Sequence, residues 1–476
     1  MSNIDLYRPE DISAISDKMN NIMEDANKHA RDVIEPTYKE YLTIFSIISN
    51  YIKKHKRIVY GGIALNEMLK EKKPEDVIYK EYSINDIEIY SFDPVSDIKA
   101  ICDILYEKKF PYIEGKEADH PGTFTIFVNF EKYCDSTYVP RIIYNNMNTI
   151  MVNGYTVIHP LYIIIDSIRV YSDPLTSYRR LDKTFIRTNK LLSVSSFKAN
   201  QGIIKENTTY TYIIQELLPK INTLQNCIFV DDIAYNYYMS QITKKEDSES
   251  SLQSKNNRTI SNDKVESHIG IIVSKFEKNA NLIYNILIDI IAKKDINFKE
   301  HLKIEEYNPF FQYWDHRIII YYHNQPILTM YKHNYKCLQY QEIEKYETKI
   351  KISNFTGTLL NYLFNYNYNA IFKKSYVDIE HRIGNLINAK NTYLSKNKLT
   401  VIDQSPFIEF QINCIGDTID SKRSHFLLIQ KRLDKSLPVV YRYKPDSDNN
   451  SLSEEYRFPN EAGTLITNDK NKIINV

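Results

Sequence analysis

Apolar residues recur at helical spacing in the first part of the chain and then fall into short strand-like segments. The segment Tyr38–Lys54 carries apolar side chains three and four residues apart, which predicts an amphipathic helix within a helical region over 1–56. A short apolar strand over 57–60 follows, and Gly61-Gly62 leads from it into a second predicted helix. The change of period marks residue 57 as the predicted start of a domain that mixes helices and strands.

Similar patterns continue toward the C-terminus. Strands are expected where apolar residues alternate or form short runs, and helices where they recur every three or four residues. The predicted strands are 85–92, 123–139, 407–415 and 424–430, and the predicted helices are 95–107, 177–192 and 354–397. This order predicts the α+β fold class.

The second part of the chain contains a partial copy of the first. The segment IVYGGIALN at 58–66 resembles IFVDDIAYN at 228–236, and a second similar pair lies at 89–105 and 271–287. The second pair is separated by a slightly larger offset than the first. The additional residues fall in the polar stretch 243–265, whose composition is typical of a mobile loop. The alternative is chance similarity between two segments of biased composition.

If the duplication is genuine, the two copies differ where the first carries its charged and glycine residues. The corresponding positions are Gly61-Gly62 against Asp231-Asp232, and Asp86 and Glu88 against His268 and Gly270. The second copy would then keep the fold without an active site.

Composition and charge exclude several classes of protein. The 476 residues are 43% hydrophobic and 25% charged, as in ordinary globular proteins. Lys and Arg number 61 against 60 Asp and Glu, so nucleic-acid binding has to depend on local basic patches. No apolar run approaches the ~20 residues that cross a bilayer, and the N-terminus lacks the layout of a signal peptide. Five widely spaced cysteines exclude a zinc ribbon or disulfide scaffold and fit a reducing compartment.

The first chemical signal is a pair of carboxylates. Asp86 and Glu88 lie two residues apart on a predicted strand, so both side chains point to the same face. Two like charges side by side are costly unless a cation lies between them. With a third carboxylate from a neighbouring strand they would form an oxygen cage suited to a pair of Mg²⁺ ions and to phosphoryl transfer. The alternative is an acidic strand that faces solvent.

The second chemical signal is Gly61-Gly62, in a chain that contains only 11 glycines. The pair lies where a predicted strand turns into a helix. Without Cβ atoms, the backbone N–H groups at this turn can approach a triphosphate closely, and a helix N-terminus favours anions. A simple tight turn is the alternative.

Together these segments resemble the polymerase-β-like nucleotidyltransferase superfamily. The matching pieces are YGGIALNEML at 60–69, INDIEIYSF at 84–92 and KYCDSTYVP at 132–140. The gap between the second glycine and the first aspartate is wider than in the family pattern, owing to a polar insertion at 71–83. With HP, SDP and YRRLDK over 159–183, the chain is more specifically similar to the poly(A) polymerase catalytic subunits of nucleocytoplasmic large DNA viruses.

This resemblance implies a nucleotidyltransferase fold, in which a mixed sheet is flanked by helices, followed by a degenerate second copy and a C-terminal α+β region. It implies a template-independent enzyme that adds AMP from ATP to mRNA 3′ ends with two Mg²⁺ or Mn²⁺ ions. The alternatives are another RNA or small-molecule nucleotidyltransferase, or a non-catalytic RNA-binding scaffold of the same fold.

The resemblance also implies the roles of individual residues. Asp86 and Glu88 would hold both metal ions, while Gly61 and Gly62 would position the triphosphate. The third carboxylate is expected to be Asp135, and the competing candidates for that position are Glu131 and Asp93.

Two basic segments are candidates for contacts with phosphate groups. Arg179, Lys183 and Arg187 recur every four residues and form one stripe on a predicted helix, suited to the triphosphate or the RNA backbone. The segment 422–444 combines basic with aromatic residues, which suits single-stranded RNA. A solvated surface is the alternative for both.

The predicted domains are a helical region at 1–56, a catalytic domain at 57–195, a degenerate copy at 196–349 and a C-terminal α+β region at 350–476. The resemblance implies RNA and ATP as substrates, with a second copy of the chain or a viral capping or processivity factor as candidate partners. The expected location is the host cytoplasm, in the viral factory, or the virion, and no membrane association is expected.

Overall fold

The chain divides into two units, each built around its own sheet. The computed structural model describes residues 6–120, 122–204, 209–222, 224, 227–243, 266–333, 336–345, 347–415, 418–436, 441–445 and 463–467. The first unit comprises Met1–Tyr138, Thr149–Ile158 and His425–Phe458, and the second comprises Val139–Asn148, His159–Ser424 and Pro459–Val476. These units group the chain differently from the four predicted domains, whose boundaries stay a prediction.

The first unit is built on a seven-stranded mixed sheet with the strand order β3-β4-β5-β2-β1-β7-β6. The strands are β1 (Ile58–Tyr60), β2 (Ile87–Ser91), β3 (Glu114–Glu117), β4 (Thr123–Val128), β5 (Glu131–Tyr138), β6 (Thr149–Val152) and β7 (Tyr155–Ile158). The helices include Pro9–Val33, Tyr38–Lys54, Gly61–Lys72 and Pro94–Glu107, with a 3₁₀ turn at Pro74–Asp76. The predicted strand-helix order of this region is confirmed.

Helix Tyr38–Lys54 shows how the sequence pattern produces this packing. Ile44, Ile48 and Ile52 recur on one face and are fully buried. The helix begins after Thr37, whose side-chain hydroxyl accepts a hydrogen bond of 3.3 Å from the Glu40 N–H. The observed bounds are those predicted from the apolar spacing.

The centre of the first sheet brings three distant segments side by side. Strand β1 runs antiparallel to β2, with Tyr60 opposite Glu88. Strand β2 runs parallel to β5, with Glu88 opposite Asp135. Ile87 and Ile89 are fully buried on the core side of β2, so Glu88 between them points to the other face.

The second unit is built on a nine-stranded sheet with the order β15-β13-β14-β8-β9-β12-β11-β10-β16. Its strands are β8 (Cys227–Val230), β9 (Ile269–Val273), β10 (Leu302–Tyr307), β11 (Arg317–Tyr322), β12 (Gln325–Lys332), β13 (Leu338–Lys345), β14 (Thr348–Ser353), β15 (Cys414–Ile415) and β16 (Leu465–Thr467). Its helices include Arg141–Asn146, Pro160–Tyr171, Pro174–Ser177, Leu181–Val194, Thr211–Ile221, Asp231–Thr243, Phe276–Ala292, Phe298–His301, Phe355–Ile371 and Val377–Asn397, with a 3₁₀ turn at Tyr178–Arg180.

The second sheet repeats the core of the first, which confirms the predicted duplication of the fold. Strand β8 is antiparallel to β9, with Val230 opposite Gly270, and β9 is parallel to β12, with Gly270 opposite Thr329. The helices that follow β1 and β8 are separated by the same offset as the first pair of similar sequence segments. The helices that follow β2 and β9 are separated by the offset of the second pair. The predicted mobile loop spans 243–265, and its residues 244–265 are not among those that the structure describes.

The C-terminal part differs from the prediction. The strand predicted at 424–430 is wrong, because these residues belong to the helix Ser421–Asp434. Most of the strand predicted at 407–415 is also absent, and only Cys414–Ile415 pairs with a neighbour, β13. Short runs with mixed polar and apolar residues do not distinguish a strand from a helix by periodicity alone.

Two further observations concern the cysteines and the membrane. Cys337 and Cys414 are joined by a disulfide across 77 residues of sequence, contrary to the expectation of reduced cysteines throughout. Cys102, Cys134 and Cys227 are free and buried. Among the described helices, none is both long enough and apolar enough to span a bilayer.

Candidate active site

The turn from β1 into the next helix is shaped by Gly61 and Gly62. Gly61 has a φ of +66°, in the left-handed region that favours glycine. A Cβ at this position would lie 1.8 Å from Glu88 Oε2, so any side chain there would displace the Glu88 carboxylate. The Gly62 N–H donates a hydrogen bond of 2.9 Å to the same oxygen. The helix N-terminus therefore holds the Glu88 carboxylate directly.

Asp86, Glu88 and Asp135 are brought together on one face of the central strands β2 and β5. Asp86 comes just before β2 and two residues before Glu88, which places both on one face. Asp135 is the register partner of Glu88 on the adjacent parallel strand, so its side chain points to the same face. The sequence identified these three residues, and pairing of β2 with β5 makes them neighbours.

A lysine that the sequence analysis missed bridges two of these carboxylates. Lys132 Nζ lies 2.8 Å from Asp86 Oδ2 and 2.6 Å from Asp135 Oδ2. Burial lowers the pKa of the Lys132 ammonium, but hydrogen bonds with Asp135 and Asp86 outweigh this and raise its pKa overall. Thr125 Oγ1 donates a further hydrogen bond of 2.6 Å to Asp135 Oδ1.

A β-bulge explains why Lys132 reaches this face. Phe127 on β4 pairs with Lys132, whereas the next residue inward, Ile126, pairs with Cys134. Tyr133 is thus the additional residue on β5, and the alternation of side chains is reversed at this point. Lys132 and Asp135, three residues apart, consequently share a face. A bulge leaves no signal in the apolar pattern of so short a segment.

The two competing candidates for the third carboxylate are engaged elsewhere. Glu131 Oε1 lies 3.4 Å from a guanidinium nitrogen of Arg31, on the first helix. Asp93 caps the helix Pro94–Glu107, where it accepts hydrogen bonds from the backbone N–H and the hydroxyl of Ser96 at 3.3 and 2.7 Å. Of the three, Asp135 is the residue whose carboxylate shares a cation with Asp86.

A buried polar network supports the strands beneath the carboxylates. Asp97, on the helix after β2, accepts two hydrogen bonds of 2.7 and 2.8 Å from Arg57, just before β1. It also accepts hydrogen bonds from Ser91 at the end of β2, at 2.5 Å, and from Tyr51, at 2.7 Å. Burial, together with Asp97, raises the pKa of the Tyr51 hydroxyl. This network ties β1 and β2 to two helices and fixes the strands that carry Gly61 and Glu88.

Comparison with known proteins identifies the family. Residues 46–177 match the family model described as poly(A) polymerase catalytic subunit. Residues 205–476 match a second model, described as the C-terminal part of the putative poly(A) polymerase catalytic subunit of APMV. The chain is 31% identical over 494 residues to the putative poly(A) polymerase catalytic subunit of Acanthamoeba polyphaga mimivirus, covering 97% of this chain and 83% of that protein. The chain belongs to the poly(A) polymerase catalytic subunit family.

Two further relatives agree with this assignment. The crystal structure of the Megavirus polyadenylate synthase matches with a TM-score of 0.84 and 29% identity, over 98% of this chain and 94% of that one. The putative poly(A) polymerase catalytic subunit of African swine fever virus (strain Badajoz 1971 Vero-adapted) is 34% identical over 116 residues, 24% of each chain. The predicted family, fold class and activity are confirmed. This polymerase uses RNA and ATP, and its family acts with divalent metal ions.

The basic stripe of the polymerase lies in the second unit. Arg179 belongs to the 3₁₀ turn Tyr178–Arg180, and Lys183 and Arg187 belong to the helix Leu181–Val194. Arg179 and Lys183 are exposed, and Arg187 is half-buried. The Arg179 guanidinium lies over the Tyr178 ring, 5.3 Å from its centroid. Contact of these residues with phosphate stays a prediction.

The second basic segment of the polymerase is partly structural. Arg432 donates two hydrogen bonds, of 2.6 and 3.2 Å, to the fully buried carboxylate of Glu117 on β3. Tyr443 donates a hydrogen bond of 2.8 Å to Asp103, and its N–H donates to the Gly115 carbonyl, also on β3, at 2.7 Å. These residues attach the segment 422–444 to the first sheet, and RNA binding by this segment stays a prediction.

Other basic residues of this segment are exposed and therefore accessible for contacts with RNA. Lys422, Arg423, Lys431 and Lys435 are exposed on or after the helix Ser421–Asp434. Their neighbour Phe426 is also exposed, at 57%. Exposed cations beside an exposed ring are the combination that stacks on and neutralises single-stranded RNA.

Proposed function

We propose that this poly(A) polymerase adds AMP from ATP to mRNA 3′ ends, without a template, by two-metal-ion catalysis at Asp86, Glu88 and Asp135. The observation that carries the proposal is the register of β2 and β5, which sets Glu88 opposite Asp135 with Asp86 on the same face. Two Mg²⁺ or Mn²⁺ ions, when bound, would clamp the attacking and leaving oxygens and lower the pKa of the RNA 3′-hydroxyl.

The donor set fits such ions. Carboxylate oxygens are hard ligands, which suit Mg²⁺ and Mn²⁺. A cation already lies between two of them, because the Lys132 ammonium is within 2.8 Å of both Asp86 and Asp135. Asp86 and Glu88 would hold both ions, and Asp135 would complete the site of one of them.

The glycine turn acts through Glu88 as well as through the nucleotide. Its Gly62 N–H donates a hydrogen bond to Glu88 Oε2 and so orients the carboxylate that we propose as a metal ligand. We propose that the remaining N–H groups of this helix N-terminus approach the triphosphate, for which a glycine-lined turn leaves space. Arg179, Lys183 and Arg187 are proposed to contact the triphosphate or the RNA backbone by charge.

The test is extension of a short RNA primer with each nucleoside triphosphate in turn, in Mg²⁺ or Mn²⁺. We expect ATP to be the preferred substrate. Asp86→Asn and Glu88→Gln should each abolish transfer while the protein stays folded. Retention of more than about a tenth of the activity, roughly 1.4 kcal/mol of barrier, would contradict the two-metal assignment. Replacing an α-phosphate oxygen of ATP by sulfur should slow transfer in Mg²⁺ and restore it in Mn²⁺, a readout specific to metal at the phosphate.

We further propose that two copies of the polymerase associate through the helix Pro9–Val33. None of its described residues is buried. Ile12, Ile15, Met19 and Ile22 alternate three and four residues apart and are 58%, 36%, 41% and 51% exposed. This heptad spacing is that of a coiled-coil seam, which a second identical helix would cover.

Light scattering during size-exclusion chromatography tests the dimer. The unaltered protein should elute as a dimer, and Ile15→Lys with Ile22→Lys as a monomer of unchanged secondary structure. A control pair on the opposite side of the helix, Asp17→Lys with Glu24→Lys, should remain dimeric. A monomeric unaltered protein would exclude self-association and leave a viral capping or processivity factor as the partner to test.

The proposed location is the host cytoplasm or the virion, and this proposal rests only on the similarity of the chain to viral proteins.

A further inference from the structure

A carboxylate and two imidazoles converge in the second unit, outside the candidate active site. Asp295 follows the helix Phe276–Ala292, His301 ends the short helix Phe298–His301, and His323 lies in the turn between β11 and β12. Each offers one ligand atom, and all three atoms lie within 4.8 Å of one another. Asp295 Oδ2 and His301 Nδ1 are 2.8 Å apart.

We propose that Asp295, His301 and His323 bind a divalent transition-metal ion, with Zn²⁺ as the expected occupant. Imidazole nitrogen suits Zn²⁺, Ni²⁺ and Cu²⁺, whereas Mg²⁺ prefers oxygen ligands only. A tetrahedral zinc keeps neighbouring ligand atoms about 3.3 Å apart, so shifts on the order of 1 Å close the observed group around an ion. Three protein ligands leave the fourth position to water.

Hydrogen bonds and ring stacking around Asp295, His301 and His323 position these side chains for metal binding. Tyr322 donates a hydrogen bond of 2.8 Å from its hydroxyl to Asp295 Oδ2. The His323 N–H donates to the His301 carbonyl at 2.9 Å, which docks the β-hairpin turn against the end of the short helix. The rings of His301 and His323 stack with centroids 3.9 Å apart, and the Tyr210 ring also stacks with His323, with centroids 5.7 Å apart. Metal-ligating side chains are typically positioned by outer hydrogen bonds of this kind.

The bound ion would cross-link two connections of the second unit. It would join the connection between the helix Phe276–Ala292 and β10 to the hairpin of β11 and β12. Because the ion binds the folded state, it would raise the stability of that unit in proportion to its affinity and concentration. A catalytic function is not required of it.

The experiment measures Zn²⁺ binding to the full chain by equilibrium dialysis, with millimolar Mg²⁺ present to occupy hard oxygen sites. We expect one Zn²⁺ per chain. His301→Gln and His323→Asn should each lower the affinity at least about tenfold, and Tyr322→Phe by a smaller factor. Asparagine is chosen at position 323 because the residue has a φ of +48°, which asparagine tolerates.

Two controls make the result decisive. His29→Asn, which changes an exposed histidine of the first unit, should leave Zn²⁺ binding unchanged. Circular dichroism without metal should show that the His301 and His323 variants are folded, and Zn²⁺ should raise the melting temperature of the unaltered protein and of His29→Asn more than that of these two variants. Saturable Zn²⁺ binding that survives both histidine changes would overturn the proposal. So would the absence of saturable binding in the unaltered protein.

Discussion

Gly61 and Glu88 are so close that a single methyl group at Gly61 would occupy the position of a Glu88 carboxylate oxygen, at 1.8 Å. The glycine is thus a requirement of the carboxylate on the neighbouring strand as well as of the turn. Gly61→Ala should displace Glu88 and lower nucleotide transfer at least about a hundredfold, on the order of 2.7 kcal/mol of barrier. Primer extension at saturating ATP measures this loss.

Gly154 provides a matched control for this substitution. It has a φ of +80°, so alanine there meets a similar backbone penalty, but the nearest atom to an added Cβ is 3.6 Å away. Gly154→Ala should cost some stability and leave transfer within about twofold of the unaltered enzyme, less than about 0.5 kcal/mol of barrier. If both alanine variants lost the same activity, backbone strain would explain the effect and the contact with Glu88 would not.

The identity of the third carboxylate is tested by two residues of the same strand. Asp135→Asn should abolish transfer, because Asp135 is opposite Glu88 in the sheet. Glu131→Gln should leave transfer nearly unchanged, because Glu131 pairs with Arg31 on the helix Pro9–Val33. Single-turnover rates with one ATP addition separate these outcomes, and the reverse result would reassign the metal ligand to Glu131.

Lys132 should compete with divalent ions for the carboxylates. Lys132→Met removes a cation that lies between Asp86 and Asp135, so Mn²⁺ affinity should rise about tenfold, roughly 1.4 kcal/mol, in a titration followed by electron paramagnetic resonance without ATP. The metal-free protein should be less stable, owing to repulsion between the carboxylates. Lys116→Met, which removes a pairing with Glu114 in the same sheet, is the control. Weaker Mn²⁺ binding by Lys132→Met would mean that the lysine orients the ligands instead.

The ion pair of Arg432 and Glu117 should stabilise the folded protein. Arg432→Met leaves the buried Glu117 carboxylate without its cation, and the free energy of unfolding should fall by about 3 kcal/mol. Urea denaturation measures this change.

The exposed lysines beside Arg432 should behave in the opposite way. Lys431→Gln with Lys435→Gln should leave unfolding unchanged but weaken RNA binding and flatten its salt dependence by about 0.7 per lost contact. An unchanged salt slope would show that these lysines are only solvated surface.

Asp231 should make stability depend on pH without affecting catalysis. Burial raises the pKa of its carboxyl group, so the folded state binds this proton more tightly than the unfolded state does. The associated stability is complete below the unfolded pKa, about 4, and is lost as the pH rises through the higher folded pKa. Asp231→Asn cannot ionise and can still accept the hydrogen bond from Asn361.

Denaturant unfolding across that pH range should therefore show the stability of Asp231→Asn rising relative to the unaltered protein as the pH increases. Nucleotide transfer should be unchanged, because the second sheet lacks the carboxylates of the first at these positions. Thr329 lies opposite Gly270 in the second sheet, where Asp135 lies opposite Glu88 in the first. Loss of transfer in a folded Asp231→Asn protein would contradict the prediction that the second copy lacks an active site.

Local patterns in the sequence determined much of this molecule. The spacing of apolar residues predicted helix Tyr38–Lys54, and the alternation around Asp86 and Glu88 placed both carboxylates on one face. The two offsets along the chain predicted the repeated sheet, because a duplicated fold preserves the order and length of its elements. These properties depend on residues within one helix, one strand or one turn, and they are therefore legible in a single sequence.

Only the tertiary structure decided which distant residues meet. The choice of Asp135 depends on β2 pairing with β5, and the place of Lys132 depends on a bulge in that pairing. Glu117 and Arg432 are 315 residues apart, and Asp295 and His323 lie on separate connections. Strand register and helix docking are set by the packing of the whole core, since shifting a strand by one residue reverses its faces. No local period of the sequence contains that information.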